Sequence, residues 1–171
     1  IPALKQLSLG QYQSFKENLI AVIEMDARVD LLEWSLQTIL FNHLDRQFLK
    51  LAPKKERYSD LESLGKEIGL LLSLMAHAGA EDQSEVEGAF GASVQALGSS
   101  GLALLAQDQI RIVDMDLALG KLHELKPLAK SRLLKACAVS VWHDQRASAV
   151  EVELFRAFAG ALDCPMPLGT A

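Results

Sequence analysis

The scarcities in this sequence narrow its function before anything present does. Two cysteines, Cys137 and Cys164, are too few for a disulfide framework and show no metal-binding spacing. Cys137 lies in an apolar run, where a thiol packs as a small hydrophobe. Cys164 stands just before Pro165, and the pair favours a reducing compartment. No apolar run approaches the roughly 18 to 20 residues of a membrane span. No secretory signal peptide is visible. Strand-like alternation is nearly absent, so no glycine-rich phosphate loop follows a strand. A nucleophile elbow is missing as well. Positive charge is in deficit, with 17 Lys and Arg against 22 Asp and Glu and a net charge of -5. That balance argues against a nucleic-acid partner, which requires a basic face. The first residue is Ile1 rather than Met, so the chain is expected to begin inside a longer precursor.

What the sequence does have is helical periodicity. Half of the residues are hydrophobic and 23% are charged, a globular composition. Tyr12, Phe15, Leu19, Val22 and Ile23 follow three- and four-residue steps, which puts them on one helical face. The same spacing recurs in Leu31, Leu32, Leu36, Ile39, Leu40 and Leu44, and in Leu61, Leu64, Ile68, Leu71, Leu72 and Met75. It returns in Val86, Phe90, Val94 and Leu97, in Leu133, Leu134, Cys137 and Val141, and in Val150, Leu154, Phe155, Phe158 and Leu162. Four capping boxes mark helix starts: Asp30 with Glu33, Ser59 with Glu62, Ser84 with Glu87, and Ser148 with Glu151. Pro127 suits a first helical position, where its missing N–H costs nothing. Residues 52–58 and 98–101 read as loops and 164–171 as an irregular tail. Residues 102–113 are a short helix or, over 110–113, an extended segment. The expectation is an all-α domain spanning residues 1–171 with about seven helices.

Self-similarity organises this pattern. An offset of 118 carries Asp26 onto Asp144, Arg28 onto Arg146, Asp30 onto Ser148 and Glu33 onto Glu151. The same offset pairs Leu7 with Leu125, Phe15 with Leu133, Leu19 with Cys137, Ile23 with Val141 and Leu36 with Leu154. Two helical hairpins, at about residues 7–49 and 125–163, are expected to flank a middle hairpin at 59–98.

Candidate chemistry is sparse. Asp26, Asp30 and Glu33 gather three carboxylates and could hold a cation. They lack the twelve-residue, glycine-centred spacing of an EF-hand, and capping accounts for Asp30 and Glu33. Asp26 and Asp144 could close the preceding turns. His143 and Asp144 are adjacent, which does not bring their side chains together. Trp34 and Trp142 flank the paired loops, either as partner anchors or as packing. Lys54, Lys55 and Arg57 form a basic cluster that could meet an acidic surface or simply be solvated. No cofactor is expected in this chain, and its oligomeric state is not legible.

Two family resemblances add to this reading. The paired loops, with Asp26, Asp30 and Glu33 and with Asp144, Ser148 and Glu151, resemble the TerB-like helical family of tellurite-resistance proteins. That family has Gly where this chain has Ala27 and Gln145, which weakens any function needing a tight ligand-wrapping loop. The resemblance implies a TerB-like helical bundle and, as one alternative function, a metal-binding or stress-response module. A broader resemblance covers about the first and last fifty residues. Residues 1–8, Gln11-Tyr12-Gln13-Ser14-Phe15, Leu32-Glu33-Trp34-Ser35-Leu36-Gln37 and residues 154–167 are similar to the C-terminal region of bacterial HtpX-type membrane zinc metalloproteases. This resemblance implies membrane helices and a zinc peptidase domain before Ile1, with this chain as a non-catalytic accessory domain on the cytoplasmic face of a bacterial inner membrane. Its partner would be the rest of the parent chain or another protein, with Trp34, Lys54, Lys55 and Arg57 as contact points. Zinc would sit in the parent's His-Glu-x-x-His motif. Here His43, His77, His123 and His143 are scattered, and His123-Glu124 is followed by Leu125, Lys126 and Pro127. No catalytic residue is carried over.

Overall fold

The computed structural model describes residues 3–25, 31–49 and 55–166. Among them are seven α-helices and no strand: α1 Leu9–Met25, α2 Leu31–Phe48, α3 Gly65–Gly79, α4 Gln83–Leu97, α5 Ile112–Leu122, α6 Pro127–Val141 and α7 Ala149–Ala161. The all-α expectation with about seven helices holds. A single isolated bridge joins Tyr58 to Leu125 among the described residues.

The core is built around α3. Every residue from Ile68 to Ala76 is buried, so this helix is covered on all sides. A helix apolar around its whole circumference belongs in an interior. Accordingly α3 touches α4, α5, α6 and α7. Its one polar core residue, Ser73, is satisfied twice. The Ser73 hydroxyl donates to the Gly69 carbonyl at 2.7 Å and accepts the Leu105 N–H at 3.0 Å. A ring nitrogen of His77 lies 2.9 Å from the Leu105 carbonyl oxygen. These bonds tie the segment before the 3-10 turn Gln107–Gln109 to α3.

Helix starts partly follow the sequence reading. Ser148 caps α7: its Oγ accepts the Glu151 N–H at 3.2 Å, and Glu151 Oε2 accepts the Ser148 N–H at 2.8 Å. Pro127 opens α6. Two boxes are displaced. Asp82, not Ser84, caps α4 by accepting the Glu85 N–H at 3.0 Å, while Glu85 Oε2 accepts the Glu81 N–H at 2.7 Å. Ser59 caps nothing; Asp60 accepts the Glu62 N–H at 3.1 Å and opens the 3-10 turn Glu62–Leu64, which leads into α3. Asp60 lies nearer its helical turn than Ser59 does, Ser84 already falls inside α4, and Asp offers an equally good acceptor. The Asp30 cap falls outside the described residues. Ser8 and Gln11 form a box at α1 that the reading passed over, with bonds of 2.8 and 3.3 Å.

Residues 110–113 are not a continuous extended segment, because α5 begins at Ile112. Its buried Met115, Ala118, Leu119 and Leu122 face the core. At the end of α4, Gly98 adopts φ 69°, the left-handed conformation that closes the helix.

The two outer hairpins begin in register. α1 and α6 start at Leu9 and Pro127, and α2 and α7 at Leu31 and Ala149, each pair 118 residues apart. Their packing differs. Leu125, Leu133, Cys137, Val141 and Leu154 are all 0% exposed. Their first-copy counterparts Leu7, Phe15 and Leu19 are only half-buried, and Leu36 is 50% exposed. The side chain of Ile23 lies outside the description. α2 packs along α7, whereas α1 rests mainly on α2. Tyr12 is the one buried side chain described in α1. Its hydroxyl donates to Asp45 at 2.5 Å, its ring stacks on Phe48 at 4.6 Å, and Lys16 pairs with Asp45 at 2.7 Å. Burial first, then Asp45, pushes the Tyr12 phenol above its ordinary pKa, so it stays a donor.

Candidate functional site

The second acidic loop joins α6 to α7, and its acidic and capping groups have structural roles. Asp144 Oδ1 accepts the Arg146 N–H at 2.9 Å and closes the turn. Gln145 adopts φ 62°, a left-handed conformation that suits glycine better than a residue with a Cβ. The glycine-favouring turn therefore persists without the glycine. Glu151 is 5% exposed and forms the capping box described above. His143 is exposed and lies close over α4: a Cβ added at Gly88 would sit 2.8 Å from its Nε2.

The first loop is less accessible to description. Asp26 and Asp30 lie outside the described residues, and Glu33 is an exposed residue in the first turn of α2. Among the described residues no three His, Cys, Asp or Glu side chains are placed to hold a metal ion.

The contact candidates separate clearly. Trp34 is 3% exposed, so it does not present a surface to a partner. Its indole N–H donates to Asp116 Oδ1 at 3.1 Å, and its ring meets Phe158 edge-on at 6.2 Å. Burial raises the Asp116 carboxyl above its ordinary pKa, and the indole bond partly opposes that shift. Of the two readings of Trp34, packing is the one the structure favours. Trp142 is half-buried against Phe155. Lys54 lies outside the described residues and Lys55 is exposed. Arg57 reaches Glu124 at 3.4 Å, so its charge is already partly matched.

A concavity that the sequence did not disclose lies between α2 and α7. It encloses about 540 Å³ and is lined in part by Ile39, His43, Arg46, Arg156, Asp163 and Met166. Several of the charged groups in and beside it are paired. Arg46 pairs with Asp163 and donates to the Gly160 carbonyl at 3.0 Å. His123 Nε2 lies 2.7 Å from Asp163 Oδ2, and Arg156 pairs with Glu153 at 2.5 Å. Cys164 borders this groove, and burial raises its thiol above the ordinary value, which disfavours a nucleophilic thiolate. The chemistry here is that of a latch holding the end of α7 against α2. Its members are far apart in sequence, from Arg46 to Asp163, which is why no local motif announced them.

No helix among the described residues is long and apolar enough to cross a membrane. Comparisons with protein-family models, curated proteins and solved structures found no match to this chain.

Proposed function

We propose that this chain is a non-catalytic accessory domain of a membrane-bound zinc metallopeptidase, lying on the cytoplasmic face of a bacterial inner membrane. In this reading its α1–α2 hairpin docks onto the rest of the parent protein. The resemblance of residues 1–8, 11–15, 32–37 and 154–167 to HtpX-type C-terminal regions supplies the parent. The uneven burial of the two hairpins supplies the docking face. Leu125, Leu133, Cys137, Val141 and Leu154 of the second hairpin are sealed, whereas their counterparts Leu7, Phe15 and Leu19 are only half-buried and Leu36 is 50% exposed; Val22 on α1 is 64% exposed as well. Exposed apolar side chains of this kind are what a docking partner would cover.

Two measurements test this. The coding sequence upstream of Ile1 should contain membrane helices and a His-Glu-x-x-His motif; their absence removes the peptidase. Hydrogen exchange of the α1 and α2 amides should be slower in the full-length parent than in the chain of residues 1–171. Equal rates would remove the docking face.

A further inference from the structure

Beneath the α6–α7 loop lies a small pocket of about 20 Å³, partly open to solvent, where α3, α4, α6 and α7 meet. Ser140, on α6, borders it. This residue is 3% exposed, and its hydroxyl is buried without a hydrogen-bond partner in the described structure. Glu151 borders the cavity from α7 and is 5% exposed. Its Oε2 is taken by the Ser148 N–H, while Oε1 lies against Gly79, where an added Cβ would come within 2.1 Å of it. Gly79 ends α3, and Ala80 beyond it turns extended at φ -81° and ψ 137°. The last carbonyls of α3 therefore have no further helical turn to bond them.

We infer that this cavity is a binding site for one ordered water molecule, which accepts a hydrogen bond from the Ser140 hydroxyl and donates to Glu151 and to the end of α3. The volume suits a single water, which requires about 10 to 15 Å³ and two to four polar partners. The lining is rich in acceptors, while the one buried donor without a partner is Ser140. Glu85 and Asp144 also border the cavity, but each already accepts a backbone N–H. Three carboxylates do not converge closely enough to hold a metal ion. The water joins the ends of three helices, and it explains why a hydroxyl sits in an apolar interior without a protein partner. An unmade hydrogen bond there would be expensive, and bridging water removes that expense.

Replacing Ser140 with Ala decides between a wet and a dry cavity. With the water present, Ser140→Ala removes one of its anchors and lowers Tm by roughly 2 to 4 °C. With a dry cavity, the same change deletes an unpaired hydroxyl, and an unchanged or raised Tm overturns the proposal. A high-resolution crystal structure should show density within hydrogen-bond distance of Ser140 Oγ and Glu151; an empty cavity overturns it as well. Thermal unfolding in sodium, potassium and magnesium chloride at equal ionic strength should give one Tm. A rise with one cation that Ser140→Ala abolishes would assign the site to that cation instead of water.

Discussion

Gln145 holds a left-handed backbone at φ 62° in the α6–α7 loop, where its Cβ is a steric liability. Replacing it with Gly relieves that strain, although glycine gains entropy in the unfolded chain. The net effect expected of Gln145→Gly is a stabilisation of about 0.5 to 1 kcal/mol, read from the urea midpoint. A lower midpoint would show that the Gln145 side chain contributes something the turn geometry does not reveal. The residue scale also shows what local sequence can announce. Ser148 and Glu151 were legible because a capping box is a four-residue pattern with one chemical purpose. Asp82 and Asp60 were not, because a nearby serine makes the same offer and only the backbone path decides which oxygen arrives. The latch residues Arg46, His123 and Asp163 carried no signal, since their meeting depends on three separate helical segments closing together.

Among the elements, α1 is the least secured. Its hold on α2 depends chiefly on Asp45, which accepts from both Tyr12 and Lys16. Changing Asp45 to Asn weakens both bonds while leaving the core untouched. Tryptic cleavage after Lys16 should then accelerate roughly three- to tenfold, with cleavage after Lys135 in α6 unchanged. Equal acceleration at both sites would mean that α1 opens only with the whole molecule. Six of the seven helices were legible from apolar stripes of three- and four-residue spacing. The missed helix, α5, has its stripe in Met115, Ala118, Leu119 and Leu122, where a small alanine and Gly120 in the last turn dilute the pattern. The reverse error fell on α3. Six apolar positions suggested a one-sided stripe, but Leu70 and Leu74 are buried too, because α4 to α7 surround the helix. A stripe records which residues are apolar, and the neighbours decide how many faces are covered.

At the scale of the whole molecule, stability against acid should depend on the link between α3 and α5. Lys121 pairs with Glu67 at 2.6 Å. Burial alone would raise the Glu67 carboxyl, but the Lys121 hydrogen bond, a backbone hydrogen bond and the charges of Lys121 and Lys66 together outweigh it and hold the group below its ordinary value of 4.5. A carboxyl lowered in the folded state stabilises fully above its unfolded value, and that contribution is lost as pH falls through the lower folded value. Glu67→Gln should therefore flatten the loss of urea stability between about pH 5 and pH 3; parallel pH curves for the two proteins would contradict this. The register shared by the outer hairpins has a consequence of another kind. A polar substitution at Leu133 enters a sealed interior and threatens folding, whereas the same substitution at Phe15 meets solvent on one side. Selection for a folded chain thus bears heavily on one hairpin and lightly on the other. The outer copy is the one whose surface can drift toward a new partner while its twin keeps the molecule folded.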